Sequence, residues 1–273
     1  MEPLSERYAR GALLGVVNVT PDSFSDGGRF VDPGVALAHG RTLAAEGAAI
    51  VDVGGESTRP GAEPVSAAVE LARVLPVIEG LVADGVAVSI DTSKAEVARA
   101  ALAAGAVLVN DVTALRGDTG MAAVVAEAGA DLCLMHMLGD PRTMQDDPRY
   151  DDVVGEVEAF LAERAGAAVA AGVSRDRIVL DPGIGFGKTI EHNLALLRAL
   201  PRLAALGPLL LGVSRKRFLG ALTGHQAGAD RVAASTAAAL WCYRGGAHLL
   251  RVHDVRATAD ALAVERALEG VSC

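Results

Sequence analysis

Cysteine is scarce in this sequence of 273 residues, which contains only Cys133, Cys242 and Cys273. The three residues are too far apart to match the spacing of the ligands of a metal site. Such a low cysteine content is typical of proteins in a reducing compartment. We therefore interpret them as buried or terminal thiols and predict no cysteine chemistry.

The sequence also lacks a long hydrophobic run. Residues 1–10, MEPLSERYAR, contain no apolar core of a signal peptide, and no segment approaches the roughly 18 apolar residues of a membrane helix. The formal net charge of −9 argues against nonspecific binding of nucleic acid, although a local cationic pocket for a small anion stays possible. With 51% hydrophobic residues, the sequence predicts a globular, cytoplasmic protein with a full core.

A nucleotide-binding glycine loop is absent as well. The stretch DPGIGFGKT, residues 181–189, resembles a phosphate loop, but the position of the first Walker glycine is occupied by Pro182, which has no N–H to donate. The dinucleotide pattern G-x-G-x-x-G fails because Lys188 stands in place of its third glycine. These glycines therefore need another explanation.

Eight short apolar runs recur along the sequence, and their apolar character is near-continuous rather than alternating. Continuous apolarity is typical of strands that are buried on both faces of a parallel sheet. Helix-like stretches rich in alanine lie between them, for example residues 33–47 and 230–245. The predicted strands are residues 12–18, 48–53, 86–90, 106–110, 131–135, 177–180, 208–213 and 247–252.

Eight strand–helix units in about 250 residues match a closed (β/α)8 TIM barrel better than an open sheet. No proline-rich or charged linker divides the chain, so residues 1–273 are predicted to form a single barrel domain. A doubly wound open sheet is the alternative architecture.

Polar side chains, together with that of Met135, lie at the C-terminal ends of the predicted strands or directly after them. In a barrel these ends converge on one mouth, so the side chains would surround a single pocket. The alternative is that each residue caps the next helix, because Asp, Asn and Ser are common N-cap residues. That alternative does not account for the cations among them. The residues are Asn18, Asp52, Asp91, Asn110, Asp111, Met135, His136, Asp181, Ser214, Lys216, Arg251 and His253.

A series of sequence motifs, in order along nearly the whole chain, resembles the motifs of the dihydropteroate synthase family. The motifs are NVTPDSFSDGG (18–28), DVGGESTRPGA (52–62), SIDTSK (89–94), VNDV (109–112), LMHMLGDPRTMQ (134–145), DPGIGFGKT (181–189), GVSRKRFLG (212–220) and LRVHDV (250–255). The resemblance implies a (β/α)8 barrel enzyme. Its expected reaction joins 6-hydroxymethyl-7,8-dihydropterin diphosphate to p-aminobenzoate, releasing diphosphate and forming 7,8-dihydropteroate for folate synthesis.

The resemblance also implies which residues bind the pterin ring. Asp181 is expected to accept hydrogen bonds from the amino and ring N–H groups, as a carboxylate does from a planar donor edge. Asn110 is expected to contact the same heterocycle, Asp91 a ring nitrogen and Lys216 a ring acceptor, with Met135 as an apolar wall. The expected catalytic residues are Asp91, Lys216, Arg251 and His253.

For the diphosphate, the resemblance implies contacts with Asn18, Thr58, Arg251 and His253. Mg²⁺ is expected on the side-chain oxygen of Asn18 and on diphosphate oxygens, because this ion commonly uses few protein ligands together with phosphates and water. Arg251 and His253 have R-x-H spacing, which places both side chains on one side of a strand. A histidine that merely packs near a helix start is the alternative for His253.

For p-aminobenzoate, the expected binding residues are Thr58, Arg59, Phe186, Ser214 and Arg217. The loops after the first two strands are expected to close over this substrate and exclude water. A core position is the alternative for Phe186. Many family members carry serine directly after the seventh-strand lysine, but this sequence has Arg217, so the way in which it holds the carboxylate is open.

Two other functions stay open from the sequence. A methyltetrahydrofolate-binding methyltransferase barrel has a similar fold and similar acidic pterin-binding residues, but it does not need the diphosphate-binding cations Lys216, Arg251 and His253. A noncatalytic pterin-binding paralogue would be expected to lose loop residues, which are intact here. The apolar, alanine-rich C-terminal helices, together with the resemblance, predict a homodimer. No nucleic-acid or membrane partner is expected.

Overall fold

The computed structural model of the protein describes residues 3–20, 32–57, 63–140 and 143–270. Its eight parallel strands pair in sequence order, and the first strand also pairs with the last, which closes a barrel. The strands are β1 (Ala12–Asn18), β2 (Ile50–Gly54), β3 (Val88–Asp91), β4 (Leu108–Asp111), β5 (Asp131–Met135), β6 (Ile178–Asp181), β7 (Leu209–Leu211) and β8 (Ala247–Val252).

Helices follow the strands and cover the outside of the barrel, with one short helix preceding β1. They are α1 (Leu4–Arg7), α2 (Pro33–Ala45), α3 (Ala67–Ala83), α4 (Ala95–Ala103), α5 (Met121–Ala128), α6 (Val153–Ala170), α7 (Ile190–Arg198), α8 (Leu200–Ala204), α9 (Arg217–Thr223), α10 (Val232–Arg244) and α11 (Val255–Glu269). None of these helices combines the length and apolar character needed to span a membrane.

The predicted (β/α)8 barrel is confirmed, and every predicted strand is present within about two residues of its expected limits. The largest difference is β7, predicted as 208–213 but reduced to three residues, with a register shift against β8 between Leu209 and Leu210. Pro208 cannot donate a ladder hydrogen bond, which accounts for the later start.

Two apolar layers stabilise the barrel. The larger one lies between the outward side chains of the strands and the helices, and it includes Val53, Ile90 and Leu161. The smaller one fills the barrel interior near the N-terminal ends of the strands, where Leu4 of α1 packs with Leu14 and other inward-facing residues. Helix α1 therefore closes the end of the barrel opposite to the predicted mouth.

The closure by α1 leads to a prediction about stability. Leu4 is fully buried, so Leu4→Ala should lower the free energy of unfolding by about 2 to 5 kcal/mol, through lost transfer energy and a residual cavity. The matched control is Leu222→Ala, since Leu222 on α9 is 56% exposed and should contribute within about 0.5 kcal/mol. Urea unfolding of both variants measures the difference, and equal losses would contradict the role of α1 as a closure.

Candidate active site

A polar cleft opens at the C-terminal ends of the strands. Its lining combines acidic, amide and cationic side chains with an apolar wall, drawn from β3, β4, β5, β6, β8 and the loops that follow β6 and β7. The lining residues are Asp91, Asn110, Val112, Met135, Asp181, Ile184, Phe186, Gly212, Lys216 and Arg251. Seven of the residues predicted from the sequence are therefore brought together here: Asp91, Asn110, Met135, Asp181, Phe186, Lys216 and Arg251.

An ion cluster forms one side of the cleft. The Arg251 guanidinium donates from Nε to Asp52 Oδ2 at 2.7 Å and from Nη2 to Asp91 Oδ2 at 2.8 Å. Asn110 Nδ2 donates to the same Asp52 oxygen at 3.2 Å. Strands β2, β3, β4 and β8 are thus joined by one network of charged and amide groups.

Asp52 belongs to this network, although its sequence motif indicated no specific binding or catalytic role for it. Its side chain is completely buried and makes the two contacts described above, yet it is absent from the cleft lining. Its position at the end of a predicted strand was visible in the sequence. The partner that makes it important, Arg251, lies 199 residues away and is recognisable only in the folded barrel.

The cleft perturbs the protonation of its ionisable groups. Burial raises the pKa of Asp91 to about 7, opposed by the Arg251 charge and reinforced by the Asp52 charge. Burial also lowers the pKa of Lys216 to about 8, an effect opposed by Asp181 and reinforced by Arg251. Both groups therefore have pKa values near neutrality, as is common for residues at functional sites.

The glycines of the DPGIGFGKT motif lie in the loop after β6, where the backbone conformation requires them. Asp181 Oδ1 accepts a hydrogen bond from Gly183 N at 2.7 Å, which orients the carboxylate at the start of the loop. Gly183 has φ of +68°, and a Cβ added there would lie 1.8 Å from the carbonyl oxygen of His136. Glycine is therefore required for the close approach of this loop to the loop after β5.

The opposite wall of the cleft is apolar and aromatic. Met135, Met137, Met144 and Val112 form a buried cluster against which Phe186 packs. The Lys216 ammonium lies 4.1 Å from the centre of the Phe186 ring, within the range of a cation–π interaction. A planar ligand would therefore meet hydrogen-bonding groups on one side and a thioether and aromatic surface on the other.

The turn between β7 and α9 is held by half-buried polar contacts. Arg215 adopts a left-handed conformation with φ of +59°, which is uncommon for a residue other than glycine. Its guanidinium pairs with Asp254, its N–H donates to Ser235 Oγ at 2.9 Å, and its carbonyl accepts from Arg231 at 3.0 Å. These contacts hold Lys216, the next residue, at the cleft.

Four other residues with a predicted substrate-binding or metal-binding role lie in the described part of the chain but outside the cleft lining. Asn18 is the partly exposed last residue of β1, in register with Gly54. Ser214 is buried and its Oγ lies 3.1 Å from His253 Nδ1, just beyond β8. Arg217 is exposed at the start of α9. The predicted residues Thr58 and Arg59 lie outside the described residues.

Helix capping does not explain the polar strand ends. In the described residues, side-chain N-caps are supplied by Asp32, Ser66, Asp152 and Thr189, all of which lie later in their loops. Lys216 does occupy an N-cap position, but without a side-chain capping bond. In the described residues, the capping alternative is therefore wrong for the polar strand ends.

Comparison with known proteins identifies the family. Residues 14–253 match the pterin-binding enzyme family. Dihydropteroate synthase of Mycobacterium leprae (strain TN) is 54% identical over 260 residues, covering 92% of this chain and 91% of the relative. A solved structure of Xanthomonas albilineans dihydropteroate synthase with 4-aminobenzoic acid superimposes with a TM-score of 0.91 at 53% identity, covering 97% of this chain and 95% of that chain. Another, in complex with 7,8-dihydropteroate, has a TM-score of 0.87 at 50% identity and the same coverage. The chain belongs to the dihydropteroate synthases, within the pterin-binding enzyme family.

Proposed function

We infer that this protein is a transferase of folate biosynthesis that condenses 6-hydroxymethyl-7,8-dihydropterin diphosphate with p-aminobenzoate, giving 7,8-dihydropteroate and diphosphate. The observation that carries this conclusion is the cleft in which Asp91, Asn110, Asp181 and Lys216 meet, in a chain 50% identical to a synthase solved with 7,8-dihydropteroate. The similar proteins described above are synthases, which favours catalysis over a noncatalytic pterin-binding paralogue or a methyltetrahydrofolate-binding methyltransferase.

Recognition of the pterin is assigned to Asp181, Asn110, Asp91 and Lys216, with Met135 as an apolar wall. Asp181 uses Oδ1 to accept the Gly183 N–H, and its second oxygen then serves the amino and ring N–H groups of the pterin. Lys216 supplies a donor for a ring acceptor. A carboxylate, an amide and an ammonium in one cleft suit a planar heterocycle with many donors and acceptors.

The diphosphate is assigned to Arg251, His253, Asn18 and Thr58. The contacts between Arg251 and the two carboxylates use two of its five N–H donors, so the guanidinium retains donors for an anion. The Asn18 side chain at the end of β1 offers an oxygen of the kind that Mg²⁺ binds, and an ion sharing phosphate oxygens needs few other protein ligands. When bound there, Mg²⁺ would neutralise charge on the diphosphate.

The proposed mechanism starts with loss of the leaving group. Arg251 and His253 stabilise the charge that develops on diphosphate as the C–O bond breaks, which leaves a pterin-stabilised carbocation. The ionised carboxylate of Asp91 stabilises the positive charge. The amine of p-aminobenzoate then forms the C–N bond and releases a proton. The described residues that line the cleft include no serine or cysteine, so we assign to them a role in binding and electrostatics.

The second substrate is assigned to the side of the cleft formed by Phe186. Its ring is partly exposed and already lies beside the Lys216 ammonium, so an aromatic amine can stack there near the carbocation. Ser214, Arg217, Thr58 and Arg59 complete the assignment for p-aminobenzoate. Arg217 is exposed, which favours a role at the rim of the site.

We also propose a homodimer in the cytoplasm, with residues 1–273 forming one pterin-binding domain. The dimer is supported by the exposed large apolar side chains of the last two helices, Trp241 on α10 and Val264 and Leu268 on α11. The compartment is supported by the free, buried thiols of Cys133 and Cys242. Sedimentation velocity on the purified chain tests the assembly, and a monomer at micromolar concentration would contradict it.

The function is tested by supplying purified protein with pterin diphosphate, p-aminobenzoate and Mg²⁺ and measuring both products. Dihydropteroate and diphosphate should form in equal amounts. Folded protein that binds a pterin but yields neither product would instead indicate the noncatalytic paralogue.

The order of events gives a prediction for Arg251. If diphosphate leaves first, the enzyme with Mg²⁺ should slowly release diphosphate from pterin diphosphate without p-aminobenzoate. Arg251→Ala should slow that release by about 10² to 10³, the usual cost of removing one preorganised donor, and His253→Ala should slow it less. Arg251→Lys, which keeps the charge but loses the planar fork, should lie between wild type and Arg251→Ala. Rapid-quench measurement of diphosphate gives the rates.

The matched control is Arg202→Ala, because that arginine pairs with Glu158 on the outer surface, on α8 and α6. Its release rate should equal that of the wild type. No release above the enzyme-free background in the wild type would indicate direct displacement by the amine and would leave the identity of the substrates untouched.

The charge state of Asp91 gives a prediction about pH. Asp91 must be ionised to stabilise a cation, and its pKa is about 7, so the rate of diphosphate release should rise with pH through that value. The Asp52 charge contributes to the raised pKa of Asp91. Asp52→Asn removes this charge and should therefore move the rising limb to lower pH, as a pH profile would reveal. A limb that stays in place or moves to higher pH would contradict the assignment. Asp84→Asn, far from the cleft on the end of α3, is the control.

A further inference from the structure

Lys188 is a buried lysine for which the proposed reaction has no use. It belongs to the DPGIGFGKT motif but is absent from the cleft lining, and only 4% of its surface is exposed. Its Nζ lies 3.0 Å from the carbonyl oxygen of Phe186 and 2.9 Å from Nδ1 of His136. Burying an amine is costly unless its donors are used, and these two contacts use them. The lysine is therefore built into the fold at this position.

Three successive carbonyl groups around Phe186 are each bound by a different side chain. Gln145 Nε2 donates to the oxygen of Gly185 at 2.6 Å, Lys188 Nζ to that of Phe186 at 3.0 Å and Tyr150 Oη to that of Gly187 at 2.9 Å. We name Gln145, Tyr150 and Lys188 the carbonyl clamp. Two of its members come from the segment between β5 and α6, so the clamp joins that segment to the loop after β6.

His136 gives the clamp a rigid base. Its N–H donates to the carbonyl of Asp181 at 2.9 Å, and its ring makes an edge contact with Phe160 at 4.8 Å between centroids. Because Nδ1 accepts from Lys188, the ring proton is assigned to Nε2. Lys188 thus connects Phe186 to a histidine that is itself attached to the backbone of Asp181.

The contacts of Lys188 persist across the physiological pH range. Burial lowers the pKa of Lys188 to about 7, an effect opposed by Asp181 and reinforced by Lys216. Burial, together with the charges of Lys188 and Arg116, lowers the pKa of His136 to about 3, so its ring is neutral and able to accept. An amine donates hydrogen bonds whether it is protonated or not.

The backbone around Phe186 needs such a restraint. Phe186 lies between Gly185 and Gly187, which have φ of +82° and +64°. Glycine at these positions permits the turn but loses more conformational freedom on folding than any other residue. The clamp supplies hydrogen bonds that hold this turn in one conformation and hence the Phe186 ring beside Lys216.

We propose that Lys188 and Tyr150 are positioning residues for the second substrate, because the carbonyl clamp holds the Phe186 ring where p-aminobenzoate must stack. The inference rests on the proposed function. It assigns to the lysine of the glycine-rich motif a role in the binding of the aromatic amine and none in the binding of phosphate. Asp91 and Asn110, which are also assigned to the pterin, lie on β3 and β4, outside the loop that the clamp holds.

Two variants test the proposal by separating the two substrates. Lys188→Met should raise the KM for p-aminobenzoate about tenfold, because it loses two hydrogen bonds, to Phe186 and His136. Tyr150→Phe should raise it about threefold, because it loses one, to Gly187. Neither should change the rate of diphosphate release measured without p-aminobenzoate. A general loss of structure would slow diphosphate release as well as raise this KM, so a raised KM with an unchanged release rate is specific to positioning.

Tyr243→Phe is the matched control, because it removes one hydroxyl that donates to Glu269 at 2.7 Å on the far side of the molecule. Its KM for p-aminobenzoate should be unchanged. Thermal unfolding identifies variants that fail to fold, and if Lys188→Met is one of these, Tyr150→Phe decides alone.

An unchanged KM for p-aminobenzoate in a folded variant would overturn the proposal, as would an equal slowing of diphosphate release. Absence of product from the wild-type protein would instead contradict the proposed function, so the two failures are distinguishable.

Discussion

The arrangement of side chains at the mouth of this barrel depends on the ion pairs of Arg251 with Asp52 and Asp91. The buried carboxylate of Asp52 and the half-buried one of Asp91 both accept hydrogen bonds from the Arg251 guanidinium, whose positive charge offsets the repulsion between them. Since Arg251 belongs to the last strand and the carboxylates to the second and third, the contact joins parts of the sequence that are far apart. The charged side of the cleft is thereby organised before any substrate is bound, which is the condition for electrostatic stabilisation without reorganisation.

The two sides of the cleft are held in different ways. The charged side consists of side chains at the ends of strands, whose directions follow from the barrel geometry itself. The aromatic side is carried by a glycine-rich loop, which has no such support and is held by hydrogen bonds to its carbonyl groups. This division matches the proposed chemistry, in which the charged diphosphate departs from the same carbon atom that the flat aromatic amine attacks.

The sequence predicted the fold well because each strand of a parallel barrel is buried on both faces and so forms a distinct apolar run. The clustering of Asp91, Asn110, Asp181 and Lys216 was predictable for a related reason, since strand ends of a barrel share one mouth. The contacts of Arg251 with Asp52 and of Lys188 with His136 were not predictable, because the partners are 199 and 52 residues apart and local patterns do not encode which distant side chains meet. The outward position of Arg217, on the first turn of its helix, also depends on the tertiary structure.

The methionine cluster behind Phe186 has a consequence for ligand selection. Thioether side chains are unbranched and polarisable, so this wall adapts to the outline of a neighbouring ring instead of imposing one. Discrimination between flat heterocycles must then come from the opposite side, where a wrongly placed donor or acceptor leaves a buried polar group without a partner. Such a cleft tolerates changes in ring size and contour, and it rejects a ligand mainly for presenting the wrong hydrogen-bonding edge.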